Sequence, residues 1–341
     1  MAQIRQFADT SSVSLAYAID SAPDSTGLSA TEFNYVPFTS EGFQLAKDSQ
    51  MSTAITSDRR HSGSKNTKGN ATGSASLEFG YTPFCLDMLQ LAMMSSWEEG
   101  EVGEEYLIDG EDMQFFLVEK RVRNMVDGQR KNFFERYYGT LVNEATIEIG
   151  SSDLISMSIN TISVFGDTNS ANSTEMEPEA GGLVSQYNSP SSYEIADASN
   201  NIKNVVIKDA QGDPMEVTFS DVTLSISNNV REQVGIGHEF AAGMAMGKVN
   251  VQVSGTIYYY DDTVLKAHLQ NSYVSVEMTM ETSDGEFTFI LPAGKAEAPN
   301  ANAQGENQDY SQSLTINGER GTVMIGGEEK TCVMAILKSA A

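Results

Sequence analysis

The chain has 341 residues, with 47 acids against 21 bases and a formal charge of -26. That length serves two ordinary domains or one large one, and a hydrophobic share of 40% excludes disorder throughout. The charge argues against a protein that grips DNA, because phosphate binding needs cations along a groove. It leaves room for one that handles DNA without holding it, since a negative wall repels phosphate.

Residues 1–30 show no apolar h-region behind a basic start, so no signal peptide is expected. No run approaches the ~18 consecutive apolar residues of a membrane span, so no membrane insertion is expected. A strand is expected at Phe43–Leu45, followed by a long glycine-containing loop over 46–72. Its stretch "ITSDRRHSGSKNTKGNATG" carries Arg59, Arg60, Lys65 and Lys68 but only one carboxylate, Asp58. "SASLEFGY" then places Ala75, Leu77, Phe79 and Tyr81 on one face and Ser74, Ser76 and Glu78 on the other. This alternation marks a strand with one apolar and one wet face. "TPFCLDMLQLAMMSSW" predicts a helix with Thr82 as N-cap and Pro83 at its first position. Phe84, Met88, Leu91 and Ser95, widened by Leu89 and Ala92, form its stripe.

The run at 98–112, "EEGEVGEEYLIDGED", holds eight carboxylates. It lacks the ligand spacing of an EF-hand loop and reads as a solvated acidic loop. Strands are expected over 113–123 and 133–149, and again from Ser156. "ATIEIG" and "DLISMSIN" alternate, and the apolar parity slips between Ile159 and Ile162, which predicts a bulge near Asn160. Residues 166–190 have linker composition. "DVTLSISN" and "KVNVQVSG" are further alternating strands, separated by a second glycine-containing loop over 228–248. "YYDDTVLKAHLQN" predicts a helix capped by Asp262, with Val264, Leu265, His268 and Leu269 as its stripe. "VSVEMTME" sets Val274, Val276, Met278 and Met280 against Ser275, Glu277, Thr279 and Glu281. Strands at 286–298 and from Ser311 follow, around an exposed loop at 299–309, and the C-terminus predicts a hairpin turning at Gly326-Gly327-Glu328.

The order strand, long loop, strand opening on a small residue and glycine, helix, and three further strands occurs twice. Thr72-Gly73 begins the second strand of one series and Ser254-Gly255 that of the other. This predicts an internal duplication, with copies at 1–165 and 191–341 joined by a linker at 166–190. The fold class expected is mainly β: two copies, each with two packed antiparallel sheets and a flanking helix.

No catalytic, cofactor or metal constellation emerges. His61, His238 and His268 sit at no metal spacing. The first two read as solvated loop residues and the third as half-buried and structural. "GIGHEFAAG" lacks the Lys-Ser/Thr ending of a phosphate loop, and no serine or cysteine sits in a nucleophile elbow. Cys85 and Cys332, far apart, read as buried thiols from a reducing compartment.

Taken together, "ITSDRR…G…TGSASLEFGYTPFCLDMLQLAMMSSW", "FFLVEK", "YYGTLVNEATIEI", "VTLSISNNV…GIG…GMAMGKVNVQVSGTIYYYDDTVLKAHL" and "FILPAGKAEA" resemble the tail tube proteins of long-tailed bacteriophages, the major tail proteins. The acidic 98–112 run and the 166–190 segment depart from the pattern. The resemblance implies a non-enzymatic virion subunit without cofactor, made in the host bacterial cytoplasm and built into the tail. It implies sheets joined edge to edge into rings and rings stacked into a conduit for transient, non-specific DNA passage. Further expected partners are the tape-measure, tail terminator and tail-tip proteins. With two copies per chain, three chains would close a pseudo-sixfold ring. On this reading Glu78, Glu148, Glu277 and Glu281 are pore-facing. Arg59, Arg60, Lys65 and Lys68 lie on an arm reaching the next ring, where the 98–112 run is a candidate partner. The alternative is a β-rich decoration or adhesion protein that binds a surface glycan or receptor.

Overall fold

A computed structural model describes residues 8–20, 33–55, 60–61, 63–126, 129–169, 187–188, 194–301, 306 and 308–340. Antiparallel strands dominate it. The first half runs through β1 (Val13–Asp20), β2 (Phe33–Val36), β3 (Gln44–Met51) and β4 (Ser64–Glu78), then α1 (Pro83–Met93). It continues with β5 (Glu104–Ile108), β6 (Phe115–Val126), β7 (Gln129–Gly150) and β8 (Ser156–Asn169). The second half runs through β9 (Ile202–Lys208), β10 (Pro214–Met215), β11 (Phe219–Ser227) and β12 (Asn250–Tyr258), then α2 (Thr263–Leu269). It ends with β13 (Val274–Thr282), β14 (Gly285–Ala296), β15 (Ser311–Glu319) and β16 (Ala335–Ala340).

Neighbouring strands in the first half follow the order β2-β1-β6-β7-β8-β4-β3. Those in the second follow β10-β9-β13-β14-β15-β12-β11. The halves meet where Glu144–Gly150 of β7 pairs antiparallel with Asp221–Ser227 of β11. This makes β4-β8-β7-β11-β12-β15 one continuous sheet. Behind it, β9-β13-β14-β16-β5 form a second layer. One apolar cluster fills the space between, and it draws on both halves. Across the continuous sheet, Leu77, Met157, Ile147, Leu224, Val253 and Ile316 stand in one register row and all are buried.

α1 forms where its cap predicts. The Thr82 hydroxyl accepts the Cys85 N–H at 3.1 Å, and Met94 ends the helix in the left-handed region at φ 50°. Phe84, Cys85, Met88, Leu89, Leu91, Ala92 and Met93 are buried. The predicted bulge lies between Asn160 and Thr161. The C-terminal hairpin pairs 321–325 with 328–332 through Gly326 and Gly327, both at positive φ.

Four expectations change. Most of 46–72 is not loop but the long β3–β4 hairpin. Its outer residues bury nothing, so side-chain pattern could not reveal a ladder made by the backbone. The 98–112 run also folds: Glu98–Glu99 pair with β5, and β5 pairs with β16. There Lys338 meets Glu105 at 2.6 Å, and Asp109 accepts the Val333 and Met334 N–H groups. The segment expected as linker begins within β8, which runs on to Asn169. In α2 only Val264 is buried, and Asp262 makes no side-chain cap but pairs with Lys266 at 2.8 Å.

Candidate assembly interface

The face of the continuous sheet turned away from the core is polar across its central register rows. Glu78, Ser156, Glu148, Thr223, Ser254 and Thr315 form one register row. Ser76, Ser158, Thr146, Ser225, Gln252 and Asn317 form the next. Ser74, Asn160, Glu144, Ser227 and Asn250 form a third. Asp221 stands between Gly150 and Thr256. Four carboxylates and no Lys or Arg occupy these rows. Glu144 accepts from the Asn160 amide at 3.0 Å and lies 3.4 Å from the Ser225 hydroxyl.

Glu78 and Glu148 are therefore brought together on one wall, each opposite Ser156. Glu277 and Glu281 are not with them. They sit on β13 in the second layer, where they pair with Lys208 and Lys203, each at 2.7 Å. An alternating strand reports that it has a wet face, but not which sheet that face belongs to. Glu144 and Asp221 belong to the wall and escaped the sequence reading. Their even spacing from Glu148 and Thr223 was the available signal.

The cationic arm separates likewise. Arg59 lies outside the described residues; Arg60 and Lys65 are exposed. Lys68 is ion-paired within the chain, to Glu232 in the second long loop, and Lys47 likewise meets Glu239 there. The Gly69 N–H also donates to the Glu239 carbonyl at 2.7 Å, so the two arms are clasped together. The arms carry exposed apolar residues near their ends: Met51 and Ile55 on one, Val234 and Ile236 on the other.

Elsewhere, His268 Nδ1 lies 2.9 Å from the Ala296 carbonyl, while His61 and His238 are exposed. Burial pushes the Cys85 thiol up, and burial with Asp109 nearby pushes Cys332 up to about 12. Among the described residues no three His, Cys, Asp or Glu side chains cluster as metal ligands, and no helix is long and apolar enough to cross a membrane.

The fold and its surfaces define a structural class: an antiparallel β protein whose conspicuous features are a wet wall, open strand edges and projecting arms. The chain belongs to the phage tail tube protein family, whose family model matches residues 10–318. Comparison with curated proteins gave no match. Membership makes it a structural protein of the virion tail that assembles with itself into a tube.

Proposed function

We propose that this chain forms the wall of a hollow tail tube through which DNA passes, with the polar face of its continuous sheet turned to the lumen. The observation carrying this reading is the wall itself: wet rows crossing six strands, with Glu78, Glu144, Glu148 and Asp221 as the charges and no cation among them. Phosphates sliding past such a face find no ion pair to hold them. The second layer differs. Its outer face mixes Lys203 and Lys208 with Glu281 and Glu277, as a solvated exterior does.

Two copies of one unit account for the matching strand orders of the two halves, with the segment after β8 as the connection. Three chains then close a pseudo-sixfold ring, and closure removes the open edges. The clasped arms reach the next ring. Apolar residues at their ends hold the stack, and Arg59, Arg60 and Lys65 steer it against an acidic rim. Tape-measure, terminator and tip proteins cap or fill such a tube.

The lumen assignment is tested by labelling. Ser158→Cys lies on the wall and Thr279→Cys on the outer face of β13, opposite Thr288. In assembled tubes a bulky polymer-maleimide should modify Thr279→Cys and spare Ser158→Cys, while a small maleimide reaches both. Equal modification of both sites by the bulky reagent would overturn the assignment. Six full-length chains per ring, counted in top views, would overturn the duplication.

A further inference from the structure

The two arms spring from different halves of the chain. The first is the outer part of the β3–β4 hairpin, continuous with the wall. The second leaves β11 and returns at β12. Its neck is closed by the Gly247 N–H on the Asn228 carbonyl at 3.0 Å and the Asn229 amide on the Lys248 carbonyl at 2.9 Å. Beyond the neck, Arg231–Gln233 pair with Gly243–Ala245. The neck is pinned to the body. The Asn228 amide donates to the Ala92 and Val142 carbonyls at 2.8 and 3.0 Å, and Val230 packs with Met94 and Leu141.

Three kinds of contact join the arms. The backbone contributes the Gly69 N–H bond to the Glu239 carbonyl. Charge contributes Lys68 with Glu232, the less exposed pair, and Lys47 with Glu239. Packing contributes the Phe240 ring, which lies so close over Gly69 that a Cβ there would stand 2.5 Å from it. The residue type at 69 on one arm is thus fixed by a ring on the other. Phe240 also meets Phe165 of β8 edge-on, with ring centroids 6.5 Å apart, and Phe165 stacks on Tyr138 of β7 at 4.5 Å. Leu45 of the first arm's root lies against the next residue of β8, Gly166. Both arms therefore rest on the same stretch of β8.

What the contact leaves bare decides its role. A contact that masks a docking surface covers the apolar groups of that surface. This one engages Lys47, Lys68, Gly69, Glu232, Glu239 and Phe240, and leaves Met51, Ile55, Val234 and Ile236 exposed. It has the form of a brace, not of a latch.

We propose that the clasp is a brace that makes the two arms one cooperative folded unit in the free chain, ready before assembly. Loosening either arm loosens the other, although one belongs to the first half and one to the second. The brace itself stands on the contacts within the chain; its use, presenting a preformed double arm, rests on the tube reading above. A preformed arm has less ordering entropy to lose on docking, so growth is faster with the brace than without it.

The test is hydrogen exchange on the full-length monomer, read separately over 44–51 and 64–69 of the first arm and 231–245 of the second. Phe240→Ala changes only the second arm. It should speed exchange about tenfold in both arms, including the Gly69 N–H. Lys68→Glu should likewise speed exchange in both, and adding Glu232→Lys should restore protection. Free exchange of both arms in the wild-type monomer, a Phe240→Ala effect confined to 231–245, or a double variant no better protected than Lys68→Glu alone would overturn the brace. Tube growth followed by light scattering tests its use: Phe240→Ala should lengthen the lag, and an unchanged lag would overturn the preformed role. Protection lost in both arms, in a wild-type chain that never forms tubes, upholds the brace and overturns the tube reading instead.

Discussion

At the residue scale, the pair under α1 has a definite pH signature. The Tyr17 hydroxyl donates to the Asp87 carboxylate at 2.6 Å. Burial raises the Asp87 pKa; the Tyr17 bond and the charge of Lys338 pull it down but do not restore it. A carboxyl with a raised folded pKa favours the fold while protonated. Its contribution is present below the ordinary carboxylate range and is lost as pH rises through the raised value. Asp87→Asn keeps an acceptor for Tyr17 and removes the charge. Relative to wild type, its melting temperature should rise between pH 4 and pH 7. A gap that stays constant, or moves the other way, would mean that Asp87 is not desolvated as described.

At the scale of elements, strand pairing is set by close backbone approach as well as by apolar pattern. A Cβ on Gly255 would stand 2.2 Å from the Asp221 carbonyl oxygen. A Cβ on its counterpart Gly73 would stand 2.1 Å from the Phe43 ring. Backbone yields less readily than a ring, so Gly255→Ala should cost more than Gly73→Ala. Its cost should be about 1–3 kcal/mol, in the range of overpacked cores, with the β11–β12 ladder disturbed. Ser254→Ala, one residue away on the wet face, should stay within about 0.5 kcal/mol. Urea midpoints of the three variants check the ranking; equal midpoints for Gly255→Ala and Ser254→Ala would contradict it. The elements that were legible in the sequence share one property: their own side chains record the burial. Leu77 and Met157 alternate with serines, Thr82 and Pro83 announce α1, and the slip after Ile159 announces the bulge. The β3–β4 hairpin was not legible because Ser64, Lys65 and Asn66 pair through backbone and face water. The stripe of α2 misled for the opposite reason: Leu265 and Leu269 have an apolar pattern, yet among the described residues both stand exposed.

At the scale of the whole molecule, legibility ends where pairing between distant strands decides the outcome. Glu148 and Glu277 look alike in sequence, each alternating with apolar neighbours. Only the β7–β11 junction places Glu148 on the wall, while Glu277 pairs with Lys208 on the second layer. The family match makes the chain a tube subunit, and the net charge of -26 suits the conduit proposed above, which must not retain nucleic acid. An acidic chain must also tolerate many copies of itself. Stacking should therefore weaken as salt is lowered and like charges are less screened, except where the cationic arm meets an acidic rim. The most direct measurement is electron microscopy of the purified full-length protein, incubated at rising concentration. The account predicts hollow tubes of uniform diameter, with three chains per ring in top views and the β4-β8-β7-β11-β12-β15 face lining the lumen. Monomers that persist at all concentrations, solid fibres, or a tube whose lumen is lined by the Lys203 and Lys208 face would contradict it.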